Sequence, residues 1–298
     1  MIFFNVDILF DLKYFLIFKL KFESRYLKYK DINMTGLTYP EISPIAFSLG
    51  PLAIRWYSLA YLFGILLAWL MLWYHNRKYK LGFTNAQMED LVFYITMGII
   101  IGGRLGYAVF YGGAEMWLHP WHLLELWKGG MSFHGGIIGV IVAAWLYARN
   151  YKWSFLQATD LVAIYCPIGI FLGRIANFIN DELWGRETDV AWGVKFPNGG
   201  YIARHPSQLY EAFFEGLVLF IVLNWLWNKK KIRNCYGIVS GLFVFLYGVF
   251  RMCLEQFRQP DAQLGFFFDY ITMGQMLSLP LIITGIAVLI IASKYKKS

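Results

Sequence analysis

From residue 52 onward the chain alternates long apolar blocks with short polar or basic connections. The blocks lie near 52–74, 91–111, 134–149, 159–179, 209–228, 237–257 and 272–293. Roughly 20 helical residues cross a bilayer core of about 30 Å, so the pattern predicts about seven membrane helices. The expected fold class is therefore an all-α, polytopic integral membrane protein. The block 134–149 is short and glycine-rich at its start, which leaves its boundary the loosest.

Positive residues orient these helices, because cytoplasmic connections retain Lys and Arg. Arg77-Lys78-Lys80, Arg149-Lys152, Lys229-Lys230-Lys231-Arg233 and Lys294-Lys296-Lys297 follow alternate blocks. These places are expected on the cytoplasmic side, with 112–133, 180–208 and 258–271 outside. The N-terminus then lies outside and the C-terminus inside. Residues 1–33 oppose this arrangement, since Lys13, Lys19, Lys21, Arg25, Lys28 and Lys30 would have to cross. Asp7, Asp11, Lys13 and Lys19 also make the first stretch a poor span and a poor signal peptide. Translation starting at Met34, or an accessory surface helix, resolves the conflict. The simplest division is an N-terminal extension 1–33 followed by one transmembrane domain, 34–298, with an external segment at 180–208.

Composition narrows the function classes. With 58% hydrophobic and 15% charged residues, little room is left for a soluble globular domain, and a membrane protein is the default. The net charge of +8 sits in short blocks between apolar runs, which speaks for topology and against a nucleic-acid partner. Cys166, Cys235 and Cys253 have no paired spacing, and no ligand motif gathers histidines with carboxylates. Neither a disulfide framework, a metal nor another cofactor is expected, and any thiol chemistry would use a substrate's sulfur.

Charges inside the apolar blocks then become the candidate chemistry, because an arginine within a membrane helix is costly and usually functional. Arg104, Arg174 and Arg251 fall at similar depths in helices running the same way. Arg55-Trp56-Tyr57 and Ser132-Phe133-His134 open descending helices at that same level. A layer of guanidiniums suits the phosphodiester of a lipid head group, which accepts paired hydrogen bonds. Arg251, Glu255 and Arg258 are spaced i, i+4, i+7, which puts a carboxylate between two guanidiniums on one helix face. That face also serves as a neutralising ion pair, and Arg104 could simply brace two helices. His134 precedes Gly135-Gly136 and is the side chain best suited to accept a proton near neutrality. Gly103-Arg104-Leu105-Gly106 and Gly173-Arg174-Ile175-Ala176 form a weak internal echo, too short to establish a repeat.

The densest motif is Gly173-Arg174-Ile175-Ala176-Asn177-Phe178-Ile179-Asn180-Asp181-Glu182-Leu183-Trp184-Gly185-Arg186. It resembles the signature of the bacterial prolipoprotein diacylglyceryl transferases, which usually reads G-R-x-G-N-F-I-N-x-E-x-W-G-R. Arg55-Trp56-Tyr57, Gly102-Gly103-Arg104, His134-Gly135-Gly136, Arg204 to Glu211 and Phe257-Arg258-Gln259-Pro260-Asp261 are similar to the same family. The likeness covers about residues 40–295. Ala176 replaces the usual glycine, and the external segment 187–203 is short.

The resemblance implies transfer of a diacylglyceryl group from phosphatidylglycerol to the lipobox cysteine of a preprolipoprotein in the inner membrane, near its extracytoplasmic leaflet. It implies Arg174 and Arg251 on the lipid phosphate, His134 at the thiol proton, and Tyr57, Asn177, Glu182 and Gly185 as members of the site. Arg104, Glu255 and Arg258 are expected to complete the lipid-binding set. Trp184 is equally suited to anchoring at the interface. Pro206, Ser207 and Gln208 either contact the peptide or cap the fifth helix. An anion or lipid-head-group transporter also arranges arginines in one layer, but the blocks read as nearly all apolar below that layer. A membrane hydrolase using His134 lacks a recognisable nucleophile elbow.

Overall fold

The computed structural model describes residues 36–50, 52–126, 129–259, 266–267 and 271–294. The N-terminal extension, and with it the choice between Met1 and Met34, lies outside the described residues, as does most of 258–271. The fold is mostly helical. Its long helices are α1 (Trp56–Tyr79), α2 (Asn85–Phe110), α3 (Phe133–Asn150), α4 (Phe155–Ile179), α5 (Ser207–Trp227), α6 (Ile238–Leu254) and α7 (Met273–Lys294). Five of them, α1, α2, α4, α5 and α7, are long and apolar enough to cross a membrane. Leu62, Phe93, Ile138, Ile221 and Ile283 point outward from the bundle, as lipid-facing residues do.

Local sequence explains where the helices begin. Thr84 and Gln87 form a reciprocal capping box, which extends α2 back through the polar stretch Asn85–Asp90, beyond the apolar block. Ser132 accepts the Gly135 N–H at 3.3 Å and starts α3. Asp160, within α4, accepts the N–H groups of Gly237 and Ser240 and the Ser240 hydroxyl at 2.7–2.8 Å, so it holds the start of α6. His75 meets the Tyr165 hydroxyl at 3.0 Å in the same half of the bundle. That half is therefore less apolar than the sequence blocks implied, with Asp160 and His75 each held by a local partner.

Glycines set the closest helix crossing. Gly98, Gly102 and Gly106 on α2 face Gly135 and Gly139 on α3, and a Cβ at Gly102 would come within 2.7 Å of the Gly139 Cα. Only a stripe of small residues lets two backbones approach so far.

A small extramembrane head covers one end of the bundle. The strands β1 (Leu37–Thr38), β4 (Val194–Lys195) and β5 (Ala203–Arg204) form one sheet, with β1 parallel and β5 antiparallel to β4. The hairpin β2 (Ile45–Leu49) and β3 (Leu52–Arg55) leads directly into α1. Tyr39 packs with Val194 and Phe196, and its hydroxyl donates to the Phe178 and Ile179 carbonyls at 3.0 and 2.8 Å. The last turn of α4 is thereby tied to the head.

Candidate functional site

The site grows from α5. Its sixth to twelfth residues pass through a wide π-helical turn, Ala212–Val218, a geometry that is rare and concentrated at functional positions. Gly216 makes that turn fit, since a Cβ there would lie 2.6 Å from the Phe171 side chain on α4. Glu211 just before the turn and Glu215 within it point into the bundle toward arginines on α4 and α6.

Glu211 is the hub. Its Oε2 lies 2.8 Å from Arg174 Nε, and its Oε1 lies 3.2 Å from Arg251 Nη1 and 3.6 Å from Arg258 Nη1. Glu255 sits 2.8 Å from Arg251 Nη2. Glu215 meets Arg174 Nη2 only at 3.6 Å, beyond hydrogen-bond distance, and neither of its oxygens has a hydrogen-bond partner. The exposures separate the two signs: side chains of Arg174, Arg251 and Arg258 are 18%, 15% and 12% accessible, against 1%, 0% and 5% for Glu211, Glu215 and Glu255. The guanidiniums form the accessible front, and the carboxylates stand behind them.

Arg258 reaches this cluster by another route than helical spacing. α6 ends at Leu254, with Glu255 as its C-cap, so Arg258 does not continue the face of Arg251 and Glu255. The chain turns there and Arg258 pairs with Gly185 as an isolated bridge. Backbone pairing with the signature loop captures a segment that one more turn of α6 would have carried away.

That signature loop leaves α4 through two residues with left-handed backbone, Asp181 (φ 53°) and Leu183 (φ 57°). The Asp181 carboxylate repays part of this by accepting the Asn198 N–H at 2.6 Å. Burial raises its pKa, and that hydrogen bond opposes the rise. Asn177 and Asn180 donate to Glu182 Oε1 at 2.8 and 3.2 Å. Gly185 is buried where its N–H meets the His205 carbonyl at 2.8 Å, and a Cβ there would press on the carbonyls of Phe257 and His205. Arg186 donates to the Arg258 carbonyl at 2.9 Å.

Ser207 and Gln208 do not cap α5. Their side chains donate outward to the carbonyls of Leu183 and Glu182 at 3.0 and 2.7 Å, clamping the loop, while Pro206 occupies the N-cap position without a side-chain bond. Trp184 stacks under the Arg204 guanidinium at 4.2 Å and joins the Tyr39 cluster, so it belongs to the head's packing.

Tyr57, half-buried at the start of α1, rests against Tyr61 and lies within electrostatic reach of Arg174. His134 sits exposed on the first turn of α3, beside Phe133. Arg104 is turned elsewhere. Its five N–H donors go to the backbone carbonyls of Leu123, Gly129, Gly130, His122 and Glu125, at 2.5–3.1 Å apart from the shorter His122 contact. The echo between Arg104 and Arg174 thus hides different duties, one bracing an extramembrane loop and the other meeting carboxylates.

Sequence motifs point to the guanidiniums but not to Glu215, and to Glu211 only within the longer likeness at Arg204 to Glu211. The signal was present: both are carboxylates, four residues apart, inside an apolar block that must bury them beside countercharges.

Known proteins similar to this chain agree with one another. The family described as prolipoprotein diacylglyceryl transferase matches residues 44–291. A protein of Rickettsia akari (strain Hartford) is 53% identical over 253 residues, covering 84% of this chain and 96% of its own length. One from Legionella pneumophila (strain Lens) is 51% identical over 251 residues, with 84% and 97% covered. A third, from Pseudoalteromonas translucida (strain TAC 125), is 52% identical over 262 residues, with 87% and 96% covered. All three carry the name phosphatidylglycerol–prolipoprotein diacylglyceryl transferase.

Proposed function

The chain belongs to the prolipoprotein diacylglyceryl transferase family, and on that basis we propose how it moves the sn-1,2-diacylglyceryl group of phosphatidylglycerol onto a prolipoprotein thiol. The observation that carries this reading is the accessible face of Arg174, Arg251 and Arg258 with carboxylates held behind it. An anion approaching from the lipid side meets guanidiniums first, and it finds them already oriented by Glu211 and Glu255.

The acceptor is the lipobox cysteine. Its thiolate attacks the glyceryl carbon that carries the phosphate ester, a C–S bond forms, and the C–O bond breaks with its electron pair passing to the phosphate oxygen. Glycerol 1-phosphate leaves. Arg174 and Arg251 hold the phosphate and stabilise the charge that gathers on the leaving oxygen. His134 takes the thiol proton, because a free thiol near pKa 8.5 is mostly protonated at neutral pH. Its exposed place on α3 suits contact with an incoming peptide. Tyr57 supplies a hydroxyl beside Arg174, while Asn177 and Glu182 shape the loop that Gly185 allows to close. Arg104 holds the 122–130 loop as a positioning residue, with no part in lipid binding.

The reading places seven spans in the bacterial inner membrane. The shorter helices α3 and α6 complete the set that α1, α2, α4, α5 and α7 begin. The head and the arginine cluster face the extracytoplasmic leaflet, with the N-terminus outside and the C-terminus in the cytoplasm. Residues 34–298 form the catalytic domain, and removing 1–33 leaves activity intact.

The test incubates purified protein with phosphatidylglycerol and a lipobox peptide, then weighs the peptide and measures released glycerol phosphate. A diacylglyceryl adduct that disappears in folded Arg174→Ala and His134→Ala supports the assignment. No adduct from the well-inserted wild type sinks the transferase reading, whereas an active His134→Ala sinks the base alone.

A further inference from the structure

Among the carboxylates of the cluster, Glu215 has the most distant countercharge. Arg174, Arg251 and Arg258 face Glu211, Glu215 and Glu255, so with every group ionised the cluster itself is electrically balanced. Glu211 has three guanidiniums within 3.6 Å, and Glu255 has one at 2.8 Å. Glu215 is wholly inaccessible, has no hydrogen bond to either oxygen, and has only Arg174 at 3.6 Å. The charged and titratable groups around it are Arg174 on α4, Glu211 on its own helix, Arg251 and Tyr247 on α6, and Arg258 beyond the end of α6.

An anionic lipid upsets this balance. A phosphodiester seated on Arg174 and Arg251 adds one negative charge to a region shielded from water, and it competes for the guanidinium that Glu215 depends on. Two negative groups that share one counterion in a poorly solvated space cannot both stay ionised at low cost. A proton is the smallest compensating charge, and the inaccessible carboxylate whose countercharge is most distant gains most by accepting it. We propose that Glu215 takes up a proton as the phosphatidylglycerol head group seats, so that lipid binding shifts this side chain from carboxylate toward carboxylic acid. Glu215 touches neither substrate nor reacting atoms; it is a positioning residue that sets how firmly the site holds an anion.

The inference rests on the phosphatidylglycerol reading above and has its own readout. Binding coupled to proton uptake weakens as pH rises, by up to about tenfold in Kd for each pH unit when about one proton is taken. Calorimetric titration of the full-length protein with short-chain phosphatidylglycerol, in two buffers of unlike ionisation heat, counts the protons directly. The expected wild-type result is uptake of about one proton per lipid and a Kd that climbs with pH. Glu215→Gln, which mimics the protonated side chain, binds with no such climb. Zero uptake by the wild type overturns the proposal, and so does an unchanged pH slope in Glu215→Gln; the wild-type proton count decides alone if the variant fails to fold. Lipid binding that ignores pH leaves the transferase reading standing, while a wild type that neither binds lipid nor forms an adduct removes both.

Discussion

Arg174 Nε and Glu211 Oε2 lie 2.8 Å apart across the α4–α5 interface, and the same carboxylate reaches Arg251 on α6 through its other oxygen. One side chain therefore fixes two guanidiniums from different helices. Hydrogen bonds to charged groups contribute about 1.5–3 kcal/mol, and bidentate geometry adds direction. Arg174→Lys keeps the charge but loses the fork. The adduct assay should show kcat/KM down by about tenfold or more, with little change in thermal stability.

Removing the hub is a different experiment. Glu211→Ala leaves guanidiniums buried without their partner, a loss that typically costs about 3–5 kcal/mol. Thermal unfolding in detergent should register it, and a double-mutant cycle with Arg174→Ala should give a coupling of about 0.5–3 kcal/mol. Additive effects would show that the two side chains do not work as a pair.

Gly185→Ala tests the closed loop. The added methyl meets the carbonyls of Phe257 and His205, and relieving such overpacking costs about 1–3 kcal/mol. Because that backbone also bridges to Arg258, activity should fall further than stability does. Measured kcat and Tm that change in proportion would contradict this.

Arg104→Met separates bracing from lipid binding. The variant deletes the donors to the carbonyls of residues 122–130 but leaves Arg174 and Arg251 in place. Hydrogen exchange should rise in that loop while affinity for phosphatidylglycerol stays unchanged. A selective loss of lipid affinity would return Arg104 to the binding site.

His205 provides a pH signature in the head. Burial lowers its pKa below the ordinary value of about 6.5, while Asp189 partly offsets the shift. A lowered folded-state pKa means that the stabilisation is present above that ordinary value and is lost as pH falls through the folded one. Tm should therefore drop as pH falls from about 6.5 toward the lower folded-state pKa, and the drop should shrink in His205→Gln.

Much of the architecture could be read from the chain, for reasons that also explain the gaps. Apolar block length located the helices because the bilayer fixes that length. It missed the start of α2, where a capping box between Thr84 and Gln87 prolongs the helix through polar residues. Arg174 and Arg251 stood out as charges in apolar runs, yet their partners on α5 depend on a wide helical turn that no short motif announces. Spacing put Arg258 on the face of Arg251, whereas the pairing with Gly185 placed it, because a bridge between distant segments has no local signature. Arg104 matched Arg174 in sequence but not in surroundings: its neighbours are carbonyls of a nearby loop.

The carboxylates behind the arginine front have a consequence for turnover. An unopposed set of guanidiniums would grip a phosphate monoester more strongly than the diester it came from, since the product carries the greater negative charge at neutral pH. Glu211 and Glu255 temper that grip. In the proposed reaction, the same countercharges that orient the arginines toward the incoming lipid also favour release of glycerol phosphate, so the carboxylates that organise binding serve turnover as well.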